Sequence, residues 1–308
     1  MKIVEYKESD ISDFFPLRKD ISCKSDYGRF LVIGGSPGMM GALRLCVDAC
    51  YRSGAGLVYY TAPEKDLLLY DLLTVEGITV PKEDIISLTG DKDCICIGCG
   101  LYNDEENLIL LKKVLENSKC NIVADAAALR MLAENKDLLK KHGHRMTVLP
   151  HPGEMSHLTG LSVADIQKER VGTAYTFYER YGCITVLKGN RTVVAGKDSV
   201  YINNTGNPGM AVAGSGDVLA GMVTAYSVMS NDMFKNACMA VYVHGLAGDL
   251  AVKDLGVISM ISSDIIRYIP QAHKEVAIHV VVGVVQLGYT PSAQGGGMWK
   301  SLTECGWK

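Results

Sequence analysis

The sequence predicts an α/β protein, with a mainly parallel central sheet flanked by helices on both faces. Three observations predict it. Short apolar runs recur along the chain, each too short for a helix. Glycine-rich turns follow several of them, and stretches of helical periodicity come after those turns.

In chain order, strands are expected at Arg29 to Ile33, Leu57 to Thr61, Cys94 to Ile97, Asn121 to Ala124, Arg145 to Leu149 and Cys183 to Leu187. Between the first two, Ala42, Leu45, Cys46, Ala49 and Cys50 recur at i, i+3, i+4, i+7 and i+8. That spacing gathers small apolar side chains on one helical face, which should lie on the sheet. Beyond Lys188, Thr192 to Ala195 and Ser199 to Ile202 flank a Gly-Lys-Asp turn and predict two antiparallel strands. Asp217 to Met229, Phe234 to Val252 and Ser262 to Ala272 read as helices with short connections. The run IHVVVGVV, from Ile278, reads as β-prone. The end of the chain, with both tryptophans and a glycine triplet, has neither period. Residues 1–275 are therefore expected to form one functional domain and 276–308 to lie outside it.

Composition narrows the function. The 308 residues carry 31 Lys and Arg against 34 Asp and Glu, a formal charge of −3, and so offer no concentrated basic field for nucleic acid or a membrane surface. With 48% hydrophobic and 21% charged residues, the chain has the balance of a globular protein. Its ten cysteines are scattered among apolar residues rather than set out as a secreted disulfide framework. The opening MKIVEYKESDISDFF places acids where a targeting peptide needs apolar or Arg-rich residues. A cytoplasmic location is expected.

The strongest chemical signal is NNTGNPGMAVAGSGDVLAGMV, residues 203–223. Gly214, Ser215 and Gly216 immediately precede a helical run, so their N–H groups should lie unpaired at a helix N-terminus, an anion site. Asp217 sets a carboxylate beside that anion. The combination suits phosphoryl transfer, with the amides stabilising the moving group and Asp217 accepting the proton of an attacking hydroxyl. One tension is built in, because a helix N-terminus favours the ionised acid and so weakens it as a base. Taken alone, the four residues would equally serve a capped helix with a glycine turn.

Other segments collect at strand ends, where open α/β sheets bind ligands. GGSPGMMGA, Gly34 to Ala42, turns sharply after the first strand but matches neither a Walker A loop nor the dinucleotide fingerprint. IGCGLY and VADAAAL place Gly98, Gly100 and Asp125 at the ends of two more strands. In LPHPGEMSHLTG, Pro150 and Pro152 hold His151 and Glu154 near a helix start. There His151 can bond a substrate amide or phosphate or be a loop histidine, and Glu154 can be a helix-start acid or a metal ligand. VLKGNRT sets Lys188, Gly189, Arg191 and Thr192 where a ribose or phosphate would sit, or on a solvated hairpin. The CxCxxC spacing of Cys94, Cys96 and Cys99 reads against a metal cluster, because Cys94 and Cys96 share one face of a buried strand and no second cluster has zinc spacing. His142 and His144 read as solvated loop residues.

Taken in this order, GGSPGMMGA, GCGLY, VADAAAL, LPHPGE, VLKGNRT and NPGMAVAGSGDVLAG resemble the ADP/ATP-dependent NAD(P)H-hydrate dehydratases of the ribokinase-like superfamily, over roughly Arg29 to Ala272. The resemblance implies a ribokinase-like fold and the repair of NADH or NADPH from its ring-hydroxylated hydrate (the S-epimer), coupled to hydrolysis of ADP or ATP. In that route the ring hydroxyl is phosphorylated and phosphate is then eliminated. By motif, Ala42, Gly100 and His151 would contact the hydrated dinucleotide. Lys188, Gly189, Asn190, Arg191 and Thr192, with Gly216, would contact the adenine nucleotide, and Asp217 would meet the substrate hydroxyl. Mg²⁺, a homotetramer and a separate epimerase are implied as well; an untargeted chain of bacterial type favours ADP. The alternative is a ribokinase-like kinase of a vitamin-precursor alcohol, of hydroxymethylpyrimidine or thiazole type. Two features depart from the pattern. The usual GPGLG loop reads Gly98, Cys99, Gly100, Leu101, Tyr102 here, and the tail beyond about Val276 has no counterpart. The stretch before Arg29 is too short for the epimerase domain often fused to these enzymes.

Overall fold

The structure is a computed structural model, and it describes residues 1–6, 8–15, 18–62, 67–72 and 74–286. Among the described residues ten strands form one sheet: β1 (Lys2–Val4), β2 (Arg29–Ile33), β3 (Leu57–Ala62), β4 (Ile78–Pro81), β5 (Cys94–Ile97), β6 (Asn121–Ala124), β7 (Met146–Val148), β8 (Ile184–Leu187), β9 (Val193–Gly196) and β10 (Ser199–Ile202). Their order is β1-β10-β9-β8-β7-β6-β5-β2-β3-β4. Only β9 runs against its neighbours, β8 and β10. All the expected strands form.

Strand alternation divides the core between the two faces. Phe30, Val32, Cys94, Cys96 and Val123 point to one side, where the helices Met40–Arg52, Ser215–Tyr226, Met233–Ser259 and Ser262–Gln286 cover them. Leu31, Ile33, Ile95, Ile97, Ile122 and Ala124 point to the other, beneath Glu105–Asn117, Ala127–Glu134 and Arg170–Tyr181. Buried on both faces, these strands are apolar after the half-buried Arg29 and Asn121 that open β2 and β6, as parallel strands are.

Several expectations are corrected. The edge strands β1 and β4 are absent from the sequence reading; Ile3 is 55% and Ile78 37% exposed, so neither strand carries a clean apolar alternation. On the helix Met40–Arg52 the buried set is Leu43, Cys46, Val47, Ala49 and Cys50, while Ala42 and Leu45 are only half-buried. That helix packs against Ser215–Tyr226 as well as the sheet, and at Gly221 a Cβ would stand 2.2 Å from the Cys46 carbonyl oxygen. A second packing partner widens the buried face.

The run from Ile278 to Val285, expected as β-prone, continues the helix Ser262–Gln286 instead. Extending a formed helix adds a hydrogen bond for each residue fixed, which outweighs a weak β preference. His142 is buried rather than solvated, with its Nδ1 3.4 Å from Arg145, whereas His144 is exposed. The tail assignment beyond residue 286 lies outside the described residues. Among the described residues, no helix is long and apolar enough to cross a membrane.

Candidate functional site

The site is assembled from the carboxyl ends of β2, β5, β6, β7 and β8, closed by the start of the helix Ser215–Tyr226. Gly214 precedes that helix with φ +93°, and among the described residues no side chain caps it. A Cβ at Gly214 would lie 2.4 Å from Leu45 Cδ1. Only glycine suits both the angle and the space. Ser262 Oγ donates to the Ala213 carbonyl at 2.7 Å and pins the loop. Of the three amides expected to face an anion, that of Ser215 already makes a long, 3.3 Å bond to the Val212 carbonyl.

Around this start stand four ionisable side chains. Lys188 Nζ lies 2.6 Å from Asp125 Oδ1 and 3.8 Å from Glu154 Oε2. A Cβ on Gly216 would lie 3.3 Å from the same ammonium and 3.8 Å from Asp125 Oδ2, so any larger residue there would crowd the pair. Burial works against the charge of Lys188, but the two carboxylates outweigh it and hold the ammonium above its ordinary value. Asp217 is raised to about 6, first by burial and then by Asp125, with Cys99 and Lys188 pulling the other way. Burial raises Glu154 to about 7, partly offset by Lys188. These shifts resolve the tension in the sequence: the helix start alone would leave Asp217 a feeble base, and burial restores its proton affinity.

His151 has a defined tautomer. It is the N-cap of the helix Pro152–Thr159, with Nδ1 accepting from the amides of Gly153 at 3.0 Å and Glu154 at 3.3 Å. Glu154 Oε2 answers by accepting from the His151 amide at 2.8 Å. This capping box leaves the proton on Nε2, 3.5 Å from Glu154 Oε1 on an exposed ring. Partial burial and Lys188 lower its basicity, and with Nδ1 accepting the ring can donate through Nε2.

Two residues assigned to the dinucleotide by motif are neighbours: a Cβ on Gly100, where φ is +70°, would lie 3.1 Å from the Ala42 Cβ and 2.5 Å from the Met39 carbonyl oxygen. Tyr102, where the resembled loop ends in glycine, ties this loop to the first one. Its amide donates to Ser36 Oγ at 3.2 Å and its hydroxyl to the Pro37 carbonyl at 2.7 Å.

The VLKGNRT segment divides. Lys188 turns inward to the carboxylates, while Gly189, Asn190 and Arg191 lie exposed on the turn before β9 and Thr192 Oγ1 closes the turn onto the Gly189 carbonyl. Arg170 braces the turn from behind, donating to the Leu187 and Lys188 carbonyls. Sequence reasoning missed Arg170, whose helix carries no motif. It also missed His244, a buried residue hydrogen-bonded to the Ser215 backbone, with Nε2 unpartnered among the described residues.

Among the described residues, the one group of three or more potential metal-binding side chains set closely together is Cys46, Cys96 and Cys99, contributed by two elements and the loop after β5. The CxCxxC reading failed to foresee this set because Cys46 comes from a distant helix. Soft thiols do not suit Mg²⁺, which takes oxygen ligands and keeps several waters.

A family model described as NAD(P)H-hydrate dehydratase matches residues 30–271. The chain belongs to the NAD(P)H-hydrate dehydratase family. Within that family it is 31% identical over 247 residues to the ADP-dependent (S)-NAD(P)H-hydrate dehydratase of Neisseria meningitidis, covering 79% of this chain and 83% of that protein. It is 35% identical over 269 residues to the bifunctional NAD(P)H-hydrate repair enzyme Nnr of Moorella thermoacetica, covering 83% of this chain and 51% of that one. The chain thus spans about half the length of the bifunctional relatives it matches. Among solved structures, the ADP/ATP-dependent NAD(P)H-hydrate dehydratase of Bacillus subtilis, co-crystallised with ATP/Mg²⁺, superposes with a TM-score of 0.76 at 27% identity, covering 88% of this chain and 97% of that one. The family's ribokinase-like fold is shared with an Enterococcus faecalis protein, at a TM-score of 0.80 and 25% identity over 90% of this chain and 96% of that one.

Proposed function

We propose that this protein dehydrates the S-epimer of hydrated NADH or NADPH, using ADP or ATP, and so regenerates the reduced cofactor. One observation carries the reading: Asp217, with its proton affinity raised to about 6, stands in the first turn of a helix that glycine opens and that no side chain among the described residues caps.

In the proposed reaction Asp217 takes the proton of the ring hydroxyl as its oxygen attacks the terminal phosphoryl group of the nucleotide. With ADP the leaving group is AMP. The O–P bond formed turns a poor leaving group into a good one. The ring-nitrogen lone pair then expels phosphate, and loss of a proton from the neighbouring carbon restores the double bond. The amides of Gly214 and Gly216, with that of Ser215 once it gives up its long bond to the Val212 carbonyl, stabilise charge on the moving phosphoryl group. Ala42 and Gly100 form a close floor for the dinucleotide, and the Nε2–H of His151 supplies a donor. Lys188, Gly189, Asn190, Arg191 and Thr192, with Gly216, receive the adenine nucleotide. Mg²⁺ bound with the phosphates would supply charge neutralisation there, and among the ionisable side chains of the site the carboxylates of Asp125, Glu154 and Asp217 would offer the oxygen ligands it takes.

The wider reading is a cytoplasmic homotetramer that relies on an epimerase to supply the S-epimer, with the tail expected at 276–308 outside the functional domain except for Val276, which is packed in the core. Its support is the family match and the resemblance. The deciding experiment incubates purified protein with hydrated NADH and either nucleotide and follows the return of NADH absorbance. Nucleotide-dependent recovery is expected. A kinase of a vitamin-precursor alcohol would give none, and that result would overturn the proposal.

A further inference from the structure

A half-buried guanidinium stands behind the segment assigned to the nucleotide. Arg170 opens the helix Arg170–Tyr181, the end at which a helix dipole disfavours a cation. Among the described residues no carboxylate pairs with it. Nη1 donates to the Gln167 side-chain oxygen at 3.1 Å, Nη2 to the Leu187 and Lys188 carbonyls at 2.9 and 3.3 Å, and Nε is buried without an acceptor. Burial with no opposing anion also holds the guanidinium below its ordinary pKa. A cation so placed costs the folded protein stability.

The two carbonyls it grips decide where the backbone points. In a planar trans peptide the C=O and the N–H that follows it face opposite ways. With the Leu187 carbonyl turned to Arg170, the Lys188 amide faces away and donates to the Pro150 carbonyl at 2.8 Å. With the Lys188 carbonyl turned to Arg170 as well, the Gly189 amide also faces away from the guanidinium, and among the described residues no acceptor takes it. A Cβ on Gly189, where φ is +142°, would lie 3.0 and 3.1 Å from the two Nη atoms, so the guanidinium lies directly against this backbone. We infer that Arg170 is a positioning residue for the nucleotide: by gripping two successive carbonyls it presents the free Gly189 amide as a donor to a nucleotide oxygen. A cation on the carbonyl polarises the peptide and makes that N–H a better donor. This deepens the proposed function and rests on residues 188–192 receiving the nucleotide.

The test measures binding of ADP and of ATP by calorimetry, beside steady-state kinetics of NADH recovery, in Arg170→Met and Arg170→Lys. Loss of the guanidinium should weaken the nucleotide about ten- to a hundredfold, the range for one hydrogen bond to a charged group, while KM for the hydrated dinucleotide stays nearly unchanged. Lysine keeps the charge, but a single ammonium lacks the fork that spans two carbonyls, so Arg170→Lys should recover only part of the affinity. That variant keeps the test decisive should the methionine one fold poorly. Nucleotide bound by either variant as tightly as by the parent, or a rise in dinucleotide KM equal to the loss of nucleotide affinity, would overturn the inference. The parent protein separates the two levels. If it binds neither nucleotide, the reading of the site itself fails; if it binds one and restores NADH while the Arg170 variants bind equally well, only the present inference fails.

Discussion

Asp217 is more costly to the folded protein as a charge than as a neutral group. Its folded value, about 6, lies above the ordinary carboxylate range, so the native state prefers the protonated form. The stability this preference contributes is complete below the unfolded pKa and is lost as pH rises through about 6. Turnover has the opposite demand, since a base must be ionised, and should therefore fall as pH drops below about 6. Asp217→Asn should abolish product formation and largely spare nucleotide binding. At pH 8 it should also raise stability to chemical denaturation by about 1–3 kcal/mol, because the unfavourable buried charge is gone. A variant that is inactive and no more stable than its parent would show that burial is not what raises this carboxylate.

Lys188 makes the contrary case. Replacing it with Met would strand Asp125, which is 2% exposed, without its ammonium, and a loss of about 3–5 kcal/mol is expected in equilibrium unfolding. At this scale the sequence was partly legible. Lys188, Asp125 and Glu154 could be placed at strand ends, but their mutual contact could not, since pairing across residues 125, 154 and 188 depends on how three loops converge. His151 was legible as a donor beside Pro152; the tautomer that makes it one follows from a capping box seen only in three dimensions.

Among the elements, the loops after β2 and β5 act as one piece. They are held by the Gly35 to Cys99 bond and by both polar ends of Tyr102. Gly100→Val combines a positive φ with a contact of 2.5 Å to the Met39 carbonyl, and should raise KM for the hydrated dinucleotide well before it affects nucleotide binding. Steady-state kinetics with each substrate varied in turn would show the asymmetry. Tyr102→Phe removes one hydroxyl bond and should cost about 0.5–1.5 kcal/mol in thermal or chemical unfolding. The strands beneath these loops could be read from their apolar runs because burial on both sides leaves only Arg29, at the start of β2, as a polar residue. The edges escaped notice for the converse reason: β1 and β4 are half solvated and too short to show a period. The helix Met40–Arg52 was read with its face turned slightly, because nothing in its own spacing announces a second helix across Gly221.

For the whole molecule, the two apolar layers enclose one sheet, and the last described helix adds Ile265, Ile269, Ala272 and Val276 to the first of them. Val276, 4% exposed, extends the packed region by one residue past the boundary expected from sequence. A chain ended after Ala277 should keep nucleotide-dependent recovery of NADH, measured beside the full chain; loss of activity with the fold intact would place the tail within the functional unit. The order of strands could not be read from sequence, since short apolar runs state that a parallel sheet exists without stating which run lies next to which.

The shared ammonium of Lys188 carries one more consequence. With no nucleotide present, it serves as counter-ion to Asp125 and Glu154; on the proposed reading an arriving polyphosphate would compete for it, and Glu154, losing its partner, would take up a proton. Nucleotide capture should thus be coupled to proton uptake near neutrality, visible in calorimetry as a binding heat that changes with the ionisation enthalpy of the buffer, and should tighten as the solution is made more acidic across the range around 7 where Glu154 titrates. The resting protein, in effect, keeps the place of its anionic guest filled with acids of its own.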